Sequence, residues 1–248
     1  MSRIAYLAFS VVAYAAFGVS LVWAFVFLTG AGRTPLVDSG RPTPPALALA
    51  ADLGLLSLFA ISHSVLARPA VKGAVSRVLP RAAERSLYVL VAAFVLLLLF
   101  WEWRPLPATT WSVGGVGAGV LAFIAWSGWA GVLASSFMID HLDLFGLRQG
   151  WHRFRERPYA GPAFQARWFY RWVRHPMMTC FLVIFWAVPH MTVGHLLFSV
   201  AASGYILVGT RLEERDLLRE LPEYAGYRVA VGGLVPHLPA PRSARLAR

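Results

Sequence analysis

Long apolar runs divided by short polar ones set the rhythm of this chain. Residues 4–29 carry no charged side chain and, at 1.5 Å per residue, are long enough to cross about 30 Å of hydrocarbon. The run resembles a signal anchor, being longer than the apolar core of a cleaved leader. Residues 30–45, GAGRTPLVDSGRPTPP, are too rich in Gly and Pro for a helix interior and read as a loop. Further spans are expected at 46–67, 87–103 and 113–137. Two last apolar runs flank residues 190–194, the first of them short because it meets Pro189. His175 and Glu213 each stand 19 residues from Gly194. Two antiparallel helices folded there would bring Arg174, His175, Glu213 and Glu214 to one mouth.

Composition agrees with this pattern. A mean hydropathy of +0.58, with 58% hydrophobic and 14% charged residues, excludes an ordinary soluble domain. The expected fold is an all-α, polytopic membrane bundle of five to six transmembrane helices ending in that hairpin. It forms one membrane-embedded unit over residues 1–248, followed from 236 by a mobile tail touching anionic lipid.

The net charge of +11 raises nucleic acid as a partner, but the arginines are scattered over short loops instead of forming one face with stacking aromatics. Topology accounts for them better. With six spans, only Arg33, Arg41 and Arg104 of the 23 Lys and Arg residues fall on one side, so both termini, the basic loop 68–85 and the hairpin mouth are expected in the cytoplasm. Trp101 and Trp103 stand where an interfacial aromatic belt is expected, and Gly114, Gly115, Gly117 and Gly119 suit either close helix approach or a flexible loop. The single cysteine, Cys180, allows no internal disulfide and no Cys-based zinc site, and reads as a small core residue.

Polar groups at membrane depth are the natural candidates for chemistry. Asp52, near the outer end of its span, reads as structural and within reach of water, and Glu102 as an interfacial residue. His190 and His195 fall at the outer turn, away from the mouth. His63, near the cytoplasmic end of the second span, reads equally as a packed histidine or a substrate-pocket residue. Beyond the fourth span, IDHLDLFGLRQGWH offers His141 as a base, Asp143 as its orienting carboxylate and Arg148 as an anion stabiliser. The spacing there is unspecific for metal, and none is expected. Arg174, Pro176 and the Glu pair read equally as topological signals, a charge anchor and a helix starter with solvated carboxylates, or as a site.

The tripeptide Arg174-His175-Pro176, the apolar hairpin, Glu213-Glu214 and then Tyr224 and Tyr227 resemble the isoprenylcysteine carboxyl methyltransferase and phospholipid methyltransferase superfamily. More of the chain resembles its NnrU-like branch, which includes methanethiol S-methyltransferases. The shared stretches are HSVLARP from His63, ERSLYVL from Glu84, FWEWRPLP from Phe100, DHLDLFGLRQ from Asp140, and RHPMMTCFLVIFWAVPHMTVGHLLF from Arg174. The wider pattern continues RHPxYxG, where this chain has Met178 and Cys180. The resemblance implies an integral-membrane enzyme that moves a methyl group from S-adenosyl-L-methionine to a small thiol such as methanethiol. Another thiol, an isoprenylcysteine carboxylate or a lipid amine are alternative acceptors, and a non-catalytic membrane protein is the other class. It also implies a cofactor-binding segment over 170–227 that includes Tyr170, Arg174, His175, Pro176, Met177, Glu213 and Glu214. The partners expected are the thiol and membrane lipid, not nucleic acid.

Overall fold

A computed structural model describes residues 2–30, 36–161 and 164–237. The tail expected from residue 236 thus lies, beyond 237, outside the described residues, as does Arg33. Helix α1 spans Arg3–Thr29. Ser2 caps it by accepting the Ala5 N–H at 3.2 Å, and Gly30 ends it with a left-handed φ of 70°. Helices α2 (Pro45–Ala67), α3 (Pro69–Val78), α4 (Arg81–Glu102) and α5 (Gly115–Ile139) follow. The basic stretch 68–85, expected as a loop, is helical. Pro69 starts α3 at its first turn, and α4 begins several residues before the apolar run, because a helix carries Glu84 and Arg85 at the interface without breaking its ladder.

After α5 come the short helices α6 (His141–Leu144) and α7 (Leu147–Phe154), a 3₁₀ turn at Trp168–Arg171, then α8 (Pro176–Trp186), α9 (Val193–Glu220) and α10 (Tyr224–Ala230). Strands β1 (Thr109–Ser112) and β2 (His190–Thr192) pair antiparallel, with Thr109 opposite Thr192. Among the described residues five helices, α1, α2, α4, α5 and α9, are long and apolar enough to cross a membrane. Large apolar side chains such as Val12, Val22, Ile61, Phe94 and Phe123 point outward along them, as lipid solvation permits. The protein is an all-α polytopic membrane bundle.

The short leg has a simple geometry. Helix α8 rises only about 16 Å over its 11 residues, against about 31 Å for α9 from Val193 to Glu214, and residues 187–189, neither helix nor strand, connect it to β2. The reversal therefore lies at Ala187–Thr192 and not at Gly194, which is already inside α9. There a side chain is excluded by the Leu106 backbone, whose nitrogen would stand 3.2 Å from an added Cβ.

Helix α8 packs chiefly on α5. A Cβ on Gly131 would sit 2.5 Å from Cys180 Sγ, and one on Gly128 would sit 2.8 Å from Ile184 Cγ1. As residue numbers fall along α5 they rise along α8, so the pair is antiparallel and the end of α5 lies beside the start of α8. Close approach thus uses Gly128 and Gly131, whereas Gly114, Gly115 and Gly119 face open space. Toward the β1–β2 end, Phe27 packs against Phe100, Trp103 and Phe198 with ring centroids 4.7 to 5.5 Å apart. Trp103 is buried here and donates Nε1–H to the Val37 carbonyl at 3.1 Å, so of the two expected belt residues only Trp101 is exposed. Asp52 is fully buried instead of reaching water, accepting the Arg104 N–H at 2.9 Å.

Gly131→Ala should lower stability by about 1–3 kcal/mol through overpacking, and adding Cys180→Ala should restore most of it. Thermal unfolding of both variants in detergent reads the coupling, and additive losses would contradict this helix contact.

Candidate functional site

At the end of the bundle away from the β-ribbon, on or beside α4, α5, α8 and α9, lie the buried polar residues Ser86, Ser135, Ser136, His175, Thr210 and Glu214. At their centre is Glu214, in the last third of α9. Its Oε1 accepts from Arg174 Nε at 2.8 Å and lies 2.6 Å from Arg174 Nη2 and 3.0 Å from His175 Nε2. Its Oε2 lies 3.3 Å from Arg228 Nε on α10. Pro176 starts α8 with the fixed φ of a first helical position, leaving His175 as the residue before the helix with its ring turned to α9. The structure therefore joins Arg174, His175 and Glu214, as the hairpin spacing predicts.

The segment after α10 straps the site shut from outside. The Arg174 N–H donates to the Gly232 carbonyl at 2.7 Å and the His175 N–H to the Gly233 carbonyl at 3.1 Å, while Thr179 Oγ1 donates to the Leu234 carbonyl at 2.8 Å. Arg174 Nη1 reaches the carbonyls of Arg228, at 2.9 Å, and Val231. Tyr227 donates its hydroxyl to the Tyr170 carbonyl at 2.6 Å. Arg174 is thereby nearly saturated: four of its five N–H groups are committed, and it no longer offers a free fork to a ligand carboxylate.

The two glutamates differ. Glu214 has a side chain only 11% exposed and is fully engaged, whereas Glu213 is 56% exposed, with His175 Nδ1 3.8 Å away. Tyr170 and Tyr224 stand within electrostatic reach of Glu213. Burial, and then the nearby carboxylate, push the Tyr170 phenol well above its ordinary range, and burial takes Tyr224 to about 12. Met177, in the first turn of α8, packs half-buried against the apolar core.

His141, Asp143 and Arg148 lie on the same end of the bundle without forming the expected triad. Ser136 Oγ spends its proton on the Leu133 carbonyl at 2.7 Å, so it accepts from His141 Nδ1–H at 2.8 Å. Tyr14 then donates its hydroxyl to Nε2, also at 2.8 Å, and Phe137 stacks on the ring 4.3 Å away. The lone pair a base would use is already filled. Asp143 instead accepts from Tyr159 Oη at 2.5 Å and Gln149 Nε2 at 3.2 Å, and Arg148 pairs with Asp140 at 2.5 Å. The i,i+2 spacing of His141 and Asp143 sends their side chains apart around a single helical turn.

His63 sits on α2 at 2.6 Å from Tyr88 Oη on α4, stacked by Phe59. Arg228, Tyr88 and the strap carbonyls escaped sequence reasoning. Backbone carbonyls have no residue signature, and Arg228 looks like any other arginine beyond the last span. Only Tyr88 left a trace, standing as near the same membrane face on α4 as His63 does on α2. Among the described residues no group of three His, Cys, Asp or Glu side chains could hold a metal ion.

The fold and this ion-pair cluster define a helical integral membrane protein with a polar site built at the hairpin mouth. The family described as NnrU protein matches residues 53–215, and the chain belongs to that family. Methanethiol S-methyltransferase 2 of Bradyrhizobium diazoefficiens is 47% identical over 242 residues, covering 97% of this chain and 93% of that protein. The methanethiol S-methyltransferase of Mycobacterium tuberculosis is 45% identical, covering 95% and 98%. That of a Pseudomonas species is 41% identical, covering 94% and 91%. No solved structure matches the chain significantly.

Glu214→Gln should cost about 3–5 kcal/mol, because it removes the one anion around which Arg174, His175 and Arg228 are gathered. Thermal unfolding and faster tryptic cleavage after Arg228 would read it. His141 provides a second test. Burial lowers its pKa below 6.5, only partly countered by Asp140, so the unfolded chain binds the proton more readily. The ring's contribution to stability is complete above about pH 6.5 and is lost as pH falls below it. The His141 ring resonance should titrate with a midpoint under 6.5.

Proposed function

We propose that this protein is a membrane methyltransferase that takes a methyl group from S-adenosyl-L-methionine and gives it to methanethiol, yielding dimethyl sulfide. The observation that carries the reading is the likeness, over nearly the whole of both chains, to proteins named for methyl transfer to methanethiol. The geometry of the mouth supports it from the other side. One carboxylate, Glu213, is left uncommitted amid a network that consumes its neighbour, and tyrosines stand near it. That is the chemistry suited to a cation carrying an aromatic base.

In this reading Glu213 holds the donor's ammonium, and the guanidinium edge of Arg228, bound to Glu214 only through Nε, meets its carboxylate. Arg174, His175 and Glu214 act as the frame that fixes both. Arg174 itself does not grip the carboxylate, since four of its five donors are spent on Glu214, Arg228 and the strap. Tyr170 walls the site, and Pro176 and Met177 set the start of α8. The donor supplies an activated methyl group on a sulfonium. The protein's share is alignment of the two sulfurs, exclusion of water by the strap, and removal of the thiol proton. His141, Asp143 and Arg148, each tied to other partners, hold the corner between α5 and α7. Methanethiol and its neutral product are small and apolar enough to pass through lipid, and the excess of Arg and Lys at this end supports a cytoplasmic site and termini.

Purified protein with labelled donor and methanethiol should yield labelled dimethyl sulfide. Donor binding without turnover of any thiol would remove the acceptor assignment, and no donor binding by calorimetry would remove the enzyme reading. Glu213→Gln should weaken donor binding about ten- to a hundredfold, the value of one charge-assisted contact, while leaving the unfolding temperature near wild type.

A further inference from the structure

The basic end of the bundle holds a cavity that the site at the hairpin mouth does not use. Leu66 of α2, Lys72 and Val75 of α3, and Glu84, Arg85 and Leu87 of α4 line it. We infer that this cavity receives the headgroup of an anionic phospholipid from the surrounding leaflet, its phosphate on Lys72 and Arg85 and a headgroup hydroxyl on Glu84. The inference does not depend on the methyl-transfer reading.

Charge carries the first part of the argument. Among the described residues none of Lys72, Glu84 and Arg85 forms a salt bridge, with one another or with any other side chain. Arg85 is nevertheless held in place. Its Nε donates to the Leu144 carbonyl at 2.7 Å, and its guanidinium carbon stands 5.4 Å from the centre of the Tyr88 ring. Nε is its one donor with a protein acceptor among the described residues, so the fork that suits a phosphate is still to be filled. Two basic side chains against one acidic leave the cavity one positive charge. A headgroup with a single phosphate anion and neutral hydroxyls balances it, whereas a zwitterionic headgroup leaves it uncompensated.

The apolar surroundings separate a lipid from a free phosphate. No residue of α3 is buried. Val71, Val75 and Val78 stand at i, i+4 and i+7 and share one face of the helix, and Val78 is 86% exposed. Protein packing does not cover that face. A short helix with an apolar stripe, and with Lys72 and Arg77 on its other faces, is stabilised by lying in the membrane interface. Ile61 and Val65, on the last turns of α2 beside Leu66, are exposed large apolar side chains, so acyl chains have hydrocarbon-facing surface to follow from the cavity. This end of the bundle also carries most of the chain's Lys and Arg, which favours the anionic cytoplasmic leaflet.

Native mass spectrometry of the full chain in detergent, titrated with palmitoyl-oleoyl phosphatidylglycerol, phosphatidylethanolamine or phosphatidylcholine, tests the assignment. One phosphatidylglycerol should be held about ten- to thirtyfold more tightly than phosphatidylcholine, Lys72→Gln should weaken it about fivefold, and Arg77→Gln, on the same helix but outside the cavity, less than about twofold. Lys72 is exposed, so the lipid-free unfolding temperature of Lys72→Gln should match wild type, while phosphatidylglycerol should raise that of the wild type more. Equal losses in the two variants would reduce the contact to diffuse attraction between a basic helix and an anionic leaflet, and overturn the site. No preference over phosphatidylcholine would overturn it too. Tighter retention of phosphatidylethanolamine would place an ammonium on Glu84 and overturn the anionic assignment. Displacement of phosphatidylglycerol by an equal concentration of inorganic phosphate would leave a phosphate pocket without a lipid, and overturn the occupant.

Discussion

One carboxylate holds the polar end of this protein together. Glu214 gathers Arg174 and His175 from the start of α8 and Arg228 from α10 onto α9, three segments separated by long stretches of chain. With an anion so enclosed, each partner offsets the cost of burying it, and removing any one leaves an unpaired charge in a poorly solvated place. One contact of the strap of residues 231–234 leans on it too, since Arg174 Nη1 reaches the Val231 carbonyl while Glu214 fixes its guanidinium. The frame is rigid so that its neighbour need not be. Glu213, one residue away, is turned outward and more than half exposed, because the network closes on Glu214 alone.

That arrangement requires His175 and Glu214 to reach the same depth from opposite directions. Helix α8 is much shorter than α9, and the irregular residues 187–189 carry the chain from its end to β2. Gly128 and Gly131 then let α8 lie almost against the α5 backbone, bringing the start of α8 near the end of α5. The β1–β2 ribbon, the buried Asp52 with the Arg104 N–H, and the Phe27 cluster fix the opposite end. Errors there would be carried down the helices to the polar mouth, since packed helices shift as rigid bodies more readily than they bend.

The placement of two histidines shows how little identity says about role. Both lie near the same end of the bundle. His141 is closed off by Ser136 and Tyr14, with its tautomer fixed and its lone pair filled, and acts as a rivet between α1 and α5. His63 has one nitrogen held by Tyr88 and the other buried without a partner among the described residues. Hydrogen-bond accounting, and not the number of nearby carboxylates, identifies His141 as a structural ring.

Much of this was legible from the chain alone. The apolar runs dictated helices, because in hydrocarbon every backbone donor and acceptor must be satisfied within its own segment. The apolar hairpin foretold that His175 and Glu213 would meet, although the residue midway between them, Gly194, lies inside α9 and not at the turn. What the linear order could not decide was which partner each polar group would take. That depends on side-chain direction around each helix and on close approach across it, so Gly131 and not Gly117 is the contact glycine, and Asp143 pairs with Tyr159 and not with His141. The strap is likewise invisible in sequence, since it is built from carbonyls that every residue possesses. Periodicity and solvent determined the helices; only the packed bundle decided which charges are spent and which remain free.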